Sequence, residues 1–276
     1  MNDNKVLVIT GMHRSGTSLL TQWLQKCGLH IGDQLLGAST GNEEGHYEDL
    51  DFYECHKRIL VKNKYHEDGF VNLTRLQPPP KEAQLMRNMV LVKNAMRAQW
   101  GWKDPRTCLL LQEYRTIIPD AFYLVILRDY QSVVSSLISR TYNETARKYG
   151  RKKGIKHFIW DKFGKPYRKE NLLKKYSEHY VKVWIAYNTA ILEHLQATDP
   201  DHYLVVDHAN LFTDNEEVFH HLENKWGFDL NYVDFNTIYK KQLLSNVLDI
   251  GAYVNDKSLL KKAADLQQLL ISYGSW

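Results

Sequence analysis

Eight consecutive residues, Gly11-Met-His13-Arg14-Ser15-Gly16-Thr17-Ser18, bring together two glycines, a histidine, an arginine and three hydroxyl side chains. Glycines let a backbone close around an anion, successive N–H groups point inward, and a helix that follows adds partial positive charge at its N-terminus. A phosphate is the guest this chemistry suits. Against the nucleoside-triphosphatase pattern G-x-x-x-x-G-K-[ST], Gly11, Gly16 and Ser18 stand in register, but Thr17 replaces the lysine. The cation has moved upstream to Arg14. Such a loop can take a 5′-phosphate and is poorly built for the β- and γ-phosphates of ATP. The plain alternative is a helix-capping turn with a surface arginine.

Three further groups carry chemistry. Arg128 follows an apolar run, and Ser136 and Arg140 lie four apart, on one face of the helix expected next. These donors should converge near one edge of a sheet, unless the arginines are simply exposed at a strand-to-helix junction. Lys103 sits in Trp-Lys-Asp-Pro, where the plain reading is a lysine solvated in a turn. Carboxylates cluster at Glu43, Glu44, Glu48 and Asp49 beside His46, where a general base could be found or a helix merely capped. His46, His56 and His66 are ten apart and His220-His221 adjacent; neither spacing suits a metal, so surface histidines and no metal are expected.

The elements that must position these residues follow from pattern. Val6–Ile9 is a short β-branched run suited to a buried strand, and Leu19 to Cys27 an amphipathic helix closed by Gly28. Residues 31–44 read as loop, 50–61 as helix, and 81–99 as a helix opened by the last of three prolines. Residues 100–106 read as a short strand and turn, with Asp104 held out of helix by Pro105. Helix is expected over 107–114, 130–140, 171–196, 215–226 and 257–272, strand over 121–127 and 201–206, and loop around 231–255. Asp129 is placed to cap the helix after it. Strands alternating with helices imply parallel pairing. The fold class is therefore α/β, with a central parallel sheet flanked by helices and the phosphate loop at a strand C-terminus.

Composition sets outer limits. The 276 residues are 43% hydrophobic and 25% charged, ordinary for one globular domain, and residues 1–276 read as a single one. No apolar run is long enough for a transmembrane helix. Met1-Asn-Asp-Asn-Lys5 leaves no room for a signal peptide, and three scattered cysteines suit a reducing compartment, so the expectation is cytoplasmic. Residues 140–175 stand apart, with thirteen Lys or Arg against three Asp or Glu in a chain of net charge +4. That segment reads as a lid over an anionic ligand, as a groove for an acidic polymer, or as a solvated loop.

The run Gly11 to Leu20 resembles the 5′-phosphosulfate loop of the sulfotransferase family, whose donor is 3′-phosphoadenosine 5′-phosphosulfate (PAPS). Arg14 to Ser18 fit its basic residue followed by S/T-G-T-[ST]. Arg128-x7-Ser136 is similar to that family's site for the donor's 3′-phosphate, with Arg140 as a second arginine, and Lys103-Asp-Pro to a lysine turn that reaches the sulfuryl group. Gly45-His46-Tyr47-Glu48 resembles bacterial members at the base position. The resemblance extends to Tyr203–Leu211, where His208 and Asn210 depart from the pattern, and covers most of residues 5–228. It implies a P-loop-like three-layer fold, PAPS as donor, PAP (adenosine 3′,5′-bisphosphate) as product, and no metal. It also implies Gly11, His13, Arg14, Ser15, Gly16, Thr17, Ser18, Arg128, Ser136 and Arg140 at the donor, and Arg14, Glu48 and Lys103 in catalysis, with His46 and Asp49 as alternative bases. The acceptor expected is a hydroxyl, on a carbohydrate or glycolipid. The rival readings are a P-loop nucleotide or sugar kinase and a nucleic-acid-binding protein using residues 140–175.

Overall fold

A computed structural model describes residues 4–37, 45–150, 164–238 and 247–274. Four strands form one parallel sheet: β1 (Lys5–Thr10), β2 (Gln99–Lys103), β3 (Phe122–Leu127) and β4 (Tyr203–Asp207), in the order β2-β1-β3-β4. Registers Ile9↔Lys103 and Thr10↔Val125 bring the carboxyl ends of the three strands at that end of the order together. A parallel sheet is covered on both faces, so its strands are apolar on both. Alternation then divides each strand between two cores. Val6, Val8, Trp100, Trp102, Tyr123, Val125 and Val205 join one cluster, while Leu7, Ile9, Leu124, Ile126, Leu204 and Val206 join the other. This is the three-layer α/β arrangement expected.

The helices are α1 (Thr17–Lys26), α2 (Leu50–Lys62), α3 (Pro80–Met96), α4 (Leu111–Ile117), α5 (Tyr130–Gly150), α6 (Lys165–Gln196), α7 (Asn215–His220) and α8 (Lys257–Ile271). Two caps read from sequence are in place. Asp49 Oδ1 accepts from Asp51 N at 2.9 Å and Asp129 Oδ1 from Ser132 N at 2.8 Å. After β2, Asp104 is extended and a 3-10 turn over Pro105–Leu110 precedes α4, so the helix expected over 107–114 begins later and ends later.

The larger corrections concern the basic stretch. α5 does not stop at Arg140 but continues to Gly150, and α6 begins at Lys165 rather than 171. The apolar face of Val133, Val134, Leu137 and Ile138 continues through Tyr142 against the core, and Arg140–Glu144 forms an i,i+4 pair at 3.2 Å. Both flanks of residues 140–175 are therefore helical, and 151–163 lie outside the described residues. So do 38–44, with Glu43 and Glu44, and 239–246 of the expected 231–255 loop, which otherwise holds 3-10 turns at Phe235–Thr237 and Gly251–Tyr253. Among the described residues, no helix is long and apolar enough to cross a membrane.

Candidate active site

The glycine loop leaves the carboxyl end of β1 and turns into α1. Gly11 has φ +154° and Gly16 φ +99°. A Cβ on Gly11 would collide with the Ile126 carbonyl oxygen, and one on Gly16 with Cδ2 of His208. Strand β3 and the residue after β4 thus press against the loop from behind, which only glycine permits. Arg14 itself has φ +69°, a conformation that costs an ordinary residue about 1 kcal/mol or more and is found most often at functional loops.

From this loop the structure builds outward on both sides. Toward β3, Arg14 Nε donates to Ser136 Oγ at 3.0 Å, and Arg128 Nη1 donates to the Arg14 carbonyl at 2.9 Å across 114 residues of sequence. Trp184 of α6 donates to the Arg128 carbonyl at 3.3 Å and fixes the end of β3. Burial, together with repulsion from Arg140 and Arg128, lowers the Arg14 guanidinium to about 10. An anion placed among these cations would relieve their mutual repulsion. Arg140, on the same α5 face as Ser136, pairs with Glu144 and lines the neighbouring cavity.

Toward β2, Lys103 is 1% exposed, and its Nζ donates to Glu48 Oε1 at 2.9 Å and to Ser18 Oγ at 3.2 Å. An aromatic core packs on one face of β2, from the residues that alternate with Gly101 and Lys103. Phe52 stacks on Trp102 with centroids 4.4 Å apart and planes 3° from parallel, and Trp100 lies 5.6 Å from Trp102. Glu48 is held through its backbone: Leu36 N donates to the Glu48 carbonyl at 2.8 Å, and Leu50 N to the Gln34 carbonyl at 2.9 Å. Tyr47 beside it has φ +53°. Burial raises the Glu48 carboxyl above its ordinary range, outweighing Lys103 and Arg106, which pull it down.

The remaining candidates separate by their contacts. Asp49 is committed to Lys93 Nζ at 2.6 Å and to the cap of α2. His46 accepts from Ser18 Oγ through its carbonyl at 3.2 Å, and burial plus the charges of Lys103, Arg140, Arg14 and Arg106 lower its ring to about 4. His13, in ring contact with Phe70 at 4.9 Å, is lowered to about 3 by burial and Arg106. Ser15 and Thr17 are buried within the loop. A cavity of about 770 Å³ opens beside Glu48, lined also by His13, His46, Tyr53, Phe70, Arg106, Arg140, Tyr176 and Tyr180.

Three features escaped the sequence reading. His56 is not a surface histidine: it is fully buried, between Asp104 and Tyr114. Its position on the stripe Phe52, Cys55, Ile59, Leu60 of α2 was the available signal. Arg106, read only as the end of a turn, lines the cavity. His208 closes the back of the loop at Gly16, and burial and Arg128 lower it to about 4. Among the described residues no group of His, Cys, Asp or Glu has the arrangement of a metal site.

Comparison with known proteins gives this geometry a family. Comparison with curated protein sequences finds no match. Among solved structures, the chain is similar to a sulfotransferase domain from the Synechococcus PCC 7002 olefin synthase. That pair is 17% identical with a TM-score of 0.51, covering 98% of this chain and 95% of the other. It is likewise similar to a sulfotransferase from Alicyclobacillus acidocaldarius, at 15% identity and TM-score 0.50, covering 97% and 96%. Both likenesses concern the fold. A sequence model described as "Sulfotransferase family" matches residues 7–231, and the chain belongs to that family.

Proposed function

We propose that the protein transfers a sulfuryl group from PAPS to a hydroxyl of a saccharide or glycolipid acceptor. The observation that carries this reading is the pair of cationic groups on either side of one glycine loop. Lys103 comes from the end of β2 on one side, and Arg128 with Ser136 and Arg14 from the end of β3 and the start of α5 on the other. A nucleotide bearing anions at two separated positions fits such a cradle, and a glycine loop that opens a helix suits the close approach of one of those anions. PAPS, when bound, supplies a sulfuryl group on a phosphate leaving group.

The chain's own residues would then act as follows. Gly11 to Ser18 hold the 5′ end through backbone N–H groups, with His13 among them. Arg128, Ser136 and Arg140 hold the 3′-phosphate. Arg14 belongs to both groups, since it is part of the loop and its side chain meets Ser136. Lys103 and Arg14 stabilise charge that grows on the leaving phosphate and the sulfuryl oxygens. Glu48, raised by burial and facing the cavity, takes the acceptor proton as the new S–O bond forms. The cavity's tyrosines and Phe70 offer faces on which sugar rings stack. In kinase loops the hydroxyl equivalent to Ser18 binds Mg²⁺, whereas here a buried ammonium is hydrogen-bonded to it, which favours sulfuryl over phosphoryl transfer. The basic 140–175 stretch is read as a lid within a single 1–276 domain, because its helical flanks, α5 and α6, contribute Arg140, Tyr176 and Tyr180 to the cavity wall. Three buried free cysteines suit the reducing cytoplasm. The test is incubation with ³⁵S-labelled PAPS and a panel of neutral and acidic oligosaccharides and glycolipids. Label should move to an acceptor and disappear with Glu48→Gln; transfer of ³²P from ATP instead of ³⁵S from PAPS would overturn the reading.

A further inference from the structure

Behind Glu48 lies a buried polar cluster to which the proposed reaction has assigned no role. Asp104 is fully buried. Its Oδ1 accepts from Arg106 N and Nε, both at 2.9 Å, and its Oδ2 from Arg106 Nη2 at 2.8 Å. His56 Nδ1 lies 2.9 Å from the same Oδ2, and His56 Nε2 lies 2.7 Å from the Tyr114 hydroxyl. An ionised carboxylate can only accept, so His56 Nδ1 donates to Asp104, while Nε2 meets the Tyr114 hydroxyl. Helix α2, the turn after β2 and α4 are thereby tied to one carboxylate. Burial alone would raise Asp104, but Arg106 and His56 outweigh it and hold it far below the carboxylate range.

The other side of this clamp is Arg106. Its Nη1 donates to the Glu67 carbonyl at 3.2 Å, and its guanidinium lies 4.3 Å from the centre of the Tyr53 ring. Its Nη2 is 3.9 Å from Glu48 Oε2, while Lys103 is hydrogen-bonded to Glu48 Oε1. Glu48 is thus flanked by two cations, one in contact and one held just outside hydrogen-bond distance by Asp104.

We propose that Arg106 is a positioning residue for Glu48, and that Asp104, His56 and Tyr114 are there to hold it. This rests on Glu48 being the base of the proposed reaction. Lys103 also reaches Ser18 in the loop, so its ammonium is the cation that can turn to the transferring group. When it does, Arg106 is the one that stays beside Glu48 and holds its proton affinity down. Lys103 from β2 and Arg106 and Asp104 from the turn act on Glu48 directly; the wall of the same cavity adds the cation Arg140, the carboxylates of Glu67, Asp68 and Glu144, and histidine and tyrosine side chains that include His13 and His46. Of these, Lys103 and Arg106 are the cations that pull its proton affinity down, and Asp104 pushes it up.

The test is a ¹³C-carboxyl NMR titration of Glu48 in the wild-type protein and in Arg106→Gln, with pH profiles of kcat and KM for PAPS. A cation lost at this distance should raise the Glu48 midpoint by about one pH unit. The acidic limb of kcat should move up by the same amount, with KM for PAPS and the thermal shift by PAP nearly unchanged. Arg106→Lys, which keeps charge but not the fork to Asp104, should fall between. An unmoved Glu48 midpoint, or a loss confined to KM for PAPS, overturns the proposal. Should Arg106→Gln not fold, Tyr114→Phe removes only the far hydrogen bond, and must move the midpoint upward by a smaller amount. No movement there is equally fatal. If the wild-type protein neither binds PAP nor transfers sulfate, the functional reading fails by itself, while the NMR titration still decides the role of Arg106.

Discussion

Lys103→Met is the sharpest perturbation of this site, because its cost can be worked from the structure. The side chains of Lys103 and Glu48 are 1% and 8% exposed and 2.9 Å apart. Removing one partner of a buried ion pair leaves an uncompensated charge and costs about 3–5 kcal/mol. Arg106 at 3.9 Å continues to compensate Glu48 in part, so the low end, about 3 kcal/mol, is expected. In a chain of this size that lowers Tm by about 6–12 °C. The pH dependence has a definite sign. Without Lys103 the folded-state pKa of Glu48 rises further above its unfolded value of about 4.3. The folded protein then binds a proton that the unfolded chain releases, so the penalty is small below about pH 4 and grows as pH rises through the raised value. Urea denaturation of wild type, Lys103→Met, Glu48→Gln and the double variant at pH 5 and pH 8 measures this. The double variant should recover most of the loss, as a buried pair replaced by neutral groups usually does. A single variant within about 1 kcal/mol of wild type, or a penalty equal at both pH values, would refute the buried-pair reasoning.

Other predictions follow from the same contacts. Arg128→Ala should weaken PAP binding by about tenfold or more, since charge-assisted hydrogen bonds contribute about 1.5–3 kcal/mol, and calorimetric titration reads it directly. Glu48→Gln should bind PAP nearly as wild type does while turnover falls by about 10²–10⁴, and retained turnover would remove Glu48 as base. Gly16→Ala, strained at φ +99° and blocked by His208, should lower Tm and abolish the PAP-induced shift; an unchanged melting curve would show that the loop has room to spare. Phe52→Ala should destabilise the protein by about 3–5 kcal/mol by opening a cavity beside Trp102, read by chemical denaturation.

Much of this arrangement is local, and the local part was legible in the sequence. The strand, loop and helix around Gly16, the caps at Asp49 and Asp129, and the exit of Arg128 from an apolar strand all depend on neighbours within a few residues. Spacing also anticipated that Ser136 and Arg140 would share a face. What spacing could not supply was the partner across the sheet. Arg14 turns its side chain to Ser136, and Lys103 reaches both Ser18 and Glu48, because β2 and β3 flank β1, and sheet order is a tertiary fact. His56 was misread because equal spacing of three histidines drew more notice than its place on an apolar stripe. The end of α5 was misread because charge density from Arg140 onward concealed that Tyr142 still packs inward. His208 looked like a departure from a pattern until β4 brought it behind the loop.

The most direct measurement is calorimetric titration of the wild-type protein with adenosine 3′,5′-bisphosphate and with adenosine 5′-monophosphate in metal-free buffer. A second anchor of about 2 kcal/mol at Arg128 and Ser136 makes the bisphosphate bind about thirtyfold tighter. Equal affinity for the two nucleotides, or binding that appears only with Mg²⁺ and ATP, would contradict a cradle built for two separated phosphates.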